Sequence, residues 1–256
     1  MTPFHVIIPA RYGSSRLSGK PLADIAGKPM IWHVMDIARK SGATETIVAT
    51  DDKRIVEVVE GFGGKAVMTS PDHESGTDRI AEACQIFGIA DTRIVVNLQG
   101  DEPLMPPGAI ARVVELLATK TDASMATLCA PVESAEQFVD PAVVKVVLSE
   151  EGFGMYFSRA PIPWVRGDGS SALVDNAWQT ALHHLGLYAY TSGYLRSYAR
   201  RPVARLEQLE RLEQLRVLAG GDLIACVVAE EAPPAGVDSD QDLARVRAVL
   251  AARQGA

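Results

Sequence analysis

An α/β fold follows from three features of this 256-residue chain. Short apolar runs alternate with stretches of helical periodicity through the first half. The first of those runs breaks into a loop that combines small residues with three cations. The best central strand, Arg93 to Gln99, is followed by a pair of carboxylates, Asp101 and Glu102. Strand and helix in alternation imply a parallel sheet. In open sheets of that kind, ligands bind at the carboxyl ends of the strands.

Val6-Ile7-Ile8 predicts a buried strand near the N-terminus. Pro29 is placed to open a helix whose apolar side carries Met30, Ile31, Val34, Met35, Ile37 and Ala38, with Gly42 closing it. Thr46 to Thr50 reads as the next strand and ends at Asp51-Asp52. A helix through Ile55, Val56, Val58 and Val59 follows, stopped by Gly61, Gly63 and Gly64. A short strand at Ala66 to Met68, a polar loop and a helix from about Asp78 to Phe87 lead to the central strand at Arg93 to Gln99.

The second half is less regular. Val143 to Leu148 and Phe153 to Phe157 flank Ser149-Glu150-Glu151-Gly152, which predicts a hairpin. Ser158 to Ser171, rich in Pro and Gly, reads as a long loop. Leu185 to Tyr190 predicts a strand. Leu206, Leu209, Leu212, Leu215 and Leu218 recur every three residues on an expected helix, a stripe that fits core packing or a subunit contact. Leu223 to Ala229 reads as a strand, followed by the Pro233-Pro234 turn and a helix from Gln241 to about Ala252.

Net charge is −7, which argues against a nucleic-acid binder relying on a broad basic surface. An anionic ligand must then be met by a local cluster. Cys84, Cys129 and Cys226 are odd in number, widely spaced and set in apolar surroundings. They read as reduced core thiols, with neither a zinc pattern nor a disulfide framework. The N-terminal apolar run is too short for a signal peptide, and no run has the length of a membrane span. A soluble, cytoplasmic protein is expected.

The first loop holds Gly13, Ser14, Ser15 and Gly19 with Arg11, Arg16 and Lys20. Small residues let backbone amides approach a ligand, and cations crowded beside them suit a polyphosphate. The loop is not a Walker A motif. Five residues separate Gly13 from Gly19, and Pro21 stands where that motif needs Ser or Thr. Nor does it match G-x-G-x-x-G. Gln99-Gly100-Asp101-Glu102-Pro103, at the end of the central strand, fits a Mg²⁺ site or an ordinary turn. Gly236-Val237-Asp238 follows the Leu223 strand, where Asp238 fits either a second metal ligand or a helix cap that Ser239 or Asp240 would serve equally. Cations for phosphate with separated aspartates for Mg²⁺ are the parts of phosphoryl or nucleotidyl transfer.

Six segments occur in order: the loop at residues 7–22, Ser75-Gly76-Thr77-Asp78-Arg79, Gln99 to Pro103, His184-Leu185-Gly186-Leu187-Tyr188, Leu212-Glu213-Gln214-Leu215-Arg216 and Gly236-Val237-Asp238. Together, from about Val6 to Val249, they resemble the 3-deoxy-manno-octulosonate (Kdo) cytidylyltransferases. The resemblance implies a nucleotide-diphospho-sugar transferase-like, three-layer α/β/α sandwich with a mixed, mostly parallel sheet and a smaller dimerisation region. It implies one domain, with a nucleotide-binding half over about 1–130, a sugar-binding and dimerisation region over 131–222, and a return to the main sheet over 223–256. The implied reaction condenses CTP with Kdo to give CMP-Kdo and pyrophosphate, activating Kdo for lipopolysaccharide assembly, with Mg²⁺ as cofactor in a cytoplasmic homodimer.

By the same resemblance, Arg11 and Lys20 hold the triphosphate with Ser15 beside them, and Ser75 and Gln99 lie on the nucleotide. Asp101 and Asp238 bind Mg²⁺, and together with Arg11 and Lys20 they carry catalysis. Gln99, Arg159, His184, Tyr188, Glu213 and Gln214 surround the sugar acid. Side-chain chemistry alone leaves Arg166 as available as Arg159 for a carboxylate, and His183 as available as His184. It would turn Glu213 and Gln214 to water. The loop departs from the family in having Ser18 where proline usually precedes the Gly-Lys pair, which frees a backbone amide. A relative that activates sialic acid or 8-amino-Kdo, and a non-catalytic nucleotide-binding module, are the alternative readings. The pair Asp101 and Asp238 argues against the second.

Overall fold

The computed structural model describes residues 2–13, 17–73, 75–166 and 177–254. In chain order its elements are β1 (Phe4–Ala10), β2 (Asp24–Ile25), β3 (Lys28–Pro29), α1 (Met30–Lys40), β4 (Glu45–Thr50), α2 (Lys53–Gly61), β5 (Lys65–Met68), α3 (Gly76–Ile86) and β6 (Ile94–Asn97). These are followed by α4 (Pro107–Thr119), β7 (Ala123–Pro131), α5 (Ala135–Val139), β8 (Lys145–Leu148), β9 (Gly154–Ser158) and β10 (Leu182–Thr191). The chain closes with α6 (Ser192–Ala199), α7 (Arg205–Glu210), α8 (Gln214–Ala219), β11 (Leu223–Val228) and α9 (Asp240–Gln254). Two compact units share these elements: Met1–Ala111 with Thr191–Ala199 and Pro233–Ala256, and Arg112–Tyr190 with Arg200–Ala232.

The first unit is built on a parallel sheet in the order β6-β1-β4-β5. Val6, Ile7 and Ile8 of β1 and Val95 and Val96 of β6 are fully buried, so both faces of these strands are covered. That is why they read as unbroken apolar runs without alternation. Helix α1 buries the six apolar residues its periodicity indicated. Helix α3 starts two residues earlier than its apolar pattern indicates, because the Ser75 hydroxyl caps it by accepting from the Asp78 amide at 3.1 Å. A cluster of Ile25, Met30, Leu104, Val237, Leu243 and Val246 ties α9 into this unit.

In the second unit β7 lies between β11, which is parallel to it, and β10, which is antiparallel. Strands β8 and β9 form the expected antiparallel hairpin, with Gly152 at φ +82° in its turn, and β8 pairs with the start of β10. Strand β10 begins at Leu182, three residues before the expected strand, and so carries His183 and His184. Elements α4, β7, α5 and α6 had no counterpart in the sequence reading. The leucine stripe is corrected. It does not lie on one helix, because Arg211 sits at φ +53° and separates α7 from α8. Leu212 and Leu215 are buried, whereas Leu206 and Leu209 are exposed. Residues 167–171 of the expected long loop lie outside the described residues. Among the described residues no helix is long and apolar enough to cross a membrane.

Leu104 is 2 % exposed at the centre of the cluster that holds α9. Leu104→Ala should therefore cost about 2–4 kcal/mol in urea denaturation. A loss below about 1 kcal/mol, the range of a surface substitution, would show that this cluster is not a keystone of the unit.

Candidate active site

Strand β1 ends at Ala10, and the chain turns back through a loop closed by the Gly19 amide donating to the Tyr12 carbonyl at 3.0 Å. Gly19 has φ +70°, and a Cβ there would meet the Tyr12 hydroxyl at 3.0 Å. This position therefore selects glycine on two grounds. The Tyr12 ring is covered by the Arg54 guanidinium 3.4 Å from its centroid. Lys20 then opens a single 3₁₀ turn, Lys20–Leu22, with Pro21 behind it. Its ammonium donates to Asp101 Oδ2 at 2.6 Å, to the Val237 carbonyl at 2.7 Å and to Asp238 Oδ1 at 3.3 Å.

Asp101 stands just past the carboxyl end of β6, beside the end of β1. The two backbones approach closely here, since a Cβ on Gly100 would lie 2.9 Å from the Pro9 carbonyl. On the other side the Val237 amide donates to the Asp101 carbonyl at 2.8 Å. The cap of α9 is Ser239, whose hydroxyl accepts from the Asp242 amide while the Asp242 carboxylate accepts from the Ser239 amide. Capping therefore does not need the Asp238 carboxylate, which lies at the Lys20 ammonium. Glu102 completes the acidic group. Burial, and after it the neighbouring Asp101 and Asp238 charges, push its carboxyl up to about 8.

Arg11, Lys20, Ser75, Gln99, Asp101 and Asp238 line a cavity of about 330 Å³. Of the residues expected at the nucleotide, only Ser15 lies outside the described residues, as does the neighbouring Arg16. Gln99 is oriented by donating to Asn97 Oδ1 at 3.0 Å. Two lining residues were passed over as site residues. Arg79, 4 % exposed, is locked by Thr69 Oγ1 at 2.6 Å and Asp51 Oδ2 at 2.9 Å. His73 pairs with Glu82 at 2.5 Å. The signal for Arg79 was present, because a cation one turn into a helix that starts at a sheet edge lines the same cavity as Arg11 and Lys20.

Lys20 shows that this wall suits a cation, since three oxygens from Asp101, Val237 and Asp238 surround one ammonium. An all-oxygen set fits Mg²⁺ and does not favour zinc. Among the described residues no group of three His, Cys, Asp or Glu is arranged to hold a metal. Two carboxylates with ligand phosphates match the way Mg²⁺ commonly binds.

The remaining expected residues lie in the second unit, in two places. His184, Tyr188 and Gln214 form one buried cluster, with Gln214 Nε2 3.3 Å from His184 Nδ1 and the Tyr188 hydroxyl donating to Gln214 Oε1 at 3.2 Å. The His184 ring packs between Phe157 and Tyr188. Gln214 is 1 % exposed, contrary to the expectation that it faces water, because α8 turns it inward beside Leu215. Arg159 is held elsewhere, its guanidinium donating to the carbonyls of Glu210 at 2.7 Å and Pro141 at 2.8 Å. Glu213 is half-buried at the start of α8.

A profile of the cytidylyltransferase family matches residues 5–224. A 3-deoxy-manno-octulosonate cytidylyltransferase of Nitrosococcus oceani is 51% identical over 98% of this chain and 98% of its own length. One from Vibrio vulnificus is 52% identical over 98% of this chain and 99% of its own. The chain belongs to this family. A solved CMP:2-keto-3-deoxy-manno-octonic acid synthetase, complexed with CTP, superposes on the cytidylyltransferase described here with a TM-score of 0.88 at 43% identity, covering 98% of this chain and 100% of that one. A 4-diphosphocytidyl-2C-methyl-D-erythritol synthase shares the fold at a TM-score of 0.63 and 15% identity. The α/β class with a mixed, mostly parallel sheet is thus established, and the protein is a nucleotidyltransferase.

Burial is the main cause that lowers the titration of His184, to about 3, and also of His183 and His5. The unfolded chain, with ordinary histidines near pH 6.5, binds protons that the folded cytidylyltransferase refuses. Stability should therefore fall as pH drops below 6.5, by up to about 1.4 kcal/mol per pH unit for a group as shifted as His184. Urea denaturation of wild type and His184→Gln between pH 7 and 5 checks this. An equal slope in the two proteins would remove His184 as a source of the effect.

Proposed function

We propose that this cytidylyltransferase transfers CMP from CTP to Kdo and releases pyrophosphate, with Mg²⁺ held by Asp101 and Asp238. The observation that carries this reading is the convergence of Lys20 with both aspartates on the wall of the cavity. The anomeric hydroxyl of the sugar acid attacks the α-phosphorus, the bond to the β-phosphoryl oxygen breaks, and the hydroxyl proton is released. Bound Mg²⁺ supplies charge neutralisation and alignment of the phosphates. Arg11 and Lys20 then bind the triphosphate. Arg79, fixed by Asp51 and Thr69, adds a cation whose position costs no reorganisation during reaction. Gln99 is held by Asn97 and presents an oriented amide.

On the sugar-acid side the reading rests on the second unit. The Arg159 guanidinium is held by neutral carbonyl oxygens. That fixes the position of the guanidinium, which suits recognition of a carboxylate. His184, Tyr188, Glu213 and Gln214 provide the polar groups for the hydroxyls. A homodimer is consistent with the large apolar side chains that this unit leaves exposed, among them Trp164, Met155 and Leu209. A cytoplasmic setting is consistent with the three buried, unpaired cysteines.

Pyrophosphate release measured with CTP, UTP and ATP across Kdo, 8-amino-Kdo and sialic acid tests the function. Turnover is expected with CTP and Kdo, and its absence with every acid would leave only a nucleotide-binding module. Asp101→Asn should lower kcat by at least about 100-fold and leave folding intact. Near-normal release from that variant would sink the metal assignment. Light scattering on the eluted protein should give twice the chain mass, and a monomer at assay concentration would end the dimer proposal.

A further inference from the structure

The second unit contains a line of buried hydrogen bonds whose direction is decided by one backbone carbonyl. Thr127 of β7 is fully buried and pairs in register with Tyr188 of β10. Between Leu185 and Tyr188 the register slips, so Gly186 and Leu187 form a bulge. The bulge turns two carbonyls toward the Thr127 hydroxyl, that of Leu187 at 2.9 Å and that of Leu185 at 3.3 Å. His184 Nε2 lies 3.0 Å from the same oxygen.

A hydroxyl has one proton to give. A carbonyl oxygen can only accept, and two oxygens at 2.9 Å without a proton between them repel. The Thr127 proton therefore goes to the Leu187 carbonyl. The imidazole must then supply the proton between Nε2 and the threonine oxygen, which leaves Nδ1 with its lone pair. That lone pair needs a donor, and Gln214 Nε2 provides it at 3.3 Å. The amide is thereby turned so that its Oε1 faces Tyr188, whose hydroxyl donates to it at 3.2 Å. The line runs one way: Tyr188 to Gln214, Gln214 to His184, His184 to Thr127, and Thr127 to Leu187. An imidazole kept neutral by burial is the species this requires.

We propose that Thr127 is a positioning residue of the sugar-acid site. It fixes His184 as the Nε2–H tautomer and, through it, the orientation of the Gln214 amide. Both ring nitrogens of His184 are engaged inside the cluster, so the imidazole transmits orientation from Thr127 to Gln214. Gln214 keeps one N–H and one lone pair with which to meet a polyhydroxy acid. The inference rests on the reading above that places this cluster at the sugar acid.

Four experiments test it. Nitrogen-15 NMR of the imidazole in the wild-type enzyme should show His184 protonated on Nε2; an Nδ1–H tautomer overturns the proposal without any variant. Thr127→Val keeps the side-chain shape and removes the hydroxyl. It should raise KM for Kdo about tenfold, the effect of one buried polar group left unpaired, while KM for CTP stays unchanged. Thr127→Ser should restore both KM for Kdo and the tautomer, which a purely packing role would not do. Gln214→Ala separates the two layers of the argument. If it leaves KM for Kdo unchanged, the placement of the cluster at the sugar acid fails. If it raises that KM and Thr127→Val does not, the placement stands and the role of Thr127 is overturned.

Discussion

The Lys20 ammonium is the interaction on which the rest of the first unit's site depends. Asp101, Asp238 and the partly buried Glu102 are three carboxyl groups in one small region, and the charges of the first two disfavour ionisation of the third. Glu102 carries the effect visibly, with its carboxyl raised to about 8 by burial and its neighbours' charge. A cation among them lets Asp101 and Asp238 approach each other. The Val237 carbonyl, also an acceptor, makes the same demand. This wall is thus built for positive charge before any ligand arrives. The loop glycine at position 19 and the tight backbone approach at Gly100 set where that charge sits.

On the proposed reading, the two units solve different problems of recognition. The first uses charge, with cations and carboxylates around one cavity and few directional constraints beyond Gln99. A triphosphate is the kind of ligand for which charge suffices. The buried cluster of the second unit is neutral and directional. His184, Gln214, Tyr188 and Thr127 are almost fully buried, and their specificity resides in which atom donates to which. A sugar acid differs from its relatives mainly in the placement of hydroxyls, and only oriented donors and acceptors read such differences.

The first unit was largely legible because its strands are buried on both faces and its helices have one apolar side. Val6 to Ile8, Met30 to Ala38 and Ile94 to Val96 needed no tertiary information. The second unit was less so. The leucine stripe looked continuous, but the left-handed residue is Arg211, a type that gives no warning of a break. Strand β7 contains Thr127 in an apolar run, and nothing local distinguishes a structural threonine from one that orients a histidine across the sheet. Ser239 and Asp238 were equal candidates for the cap, and only the Ser239–Asp242 geometry separates them. In the sequence Arg159 was no better placed than Arg166 to meet a carboxylate. The carbonyls that hold Arg159 belong to Pro141 and Glu210, both far from it in sequence.

The first unit is assembled from three stretches of chain that are not consecutive, and its last contribution begins at Pro233. Val237 and Asp238 reach Lys20 across more than two hundred residues of sequence. During synthesis Lys20 and Asp101 emerge well before Val237 and Asp238, whose oxygens complete the set around the ammonium. A chain that stops before Pro233 holds the residues of every strand of the parallel sheet but only part of this charge arrangement. Completion of the site therefore waits on residues 237 and 238, and a chain cut short of them lacks one of the two proposed metal carboxylates.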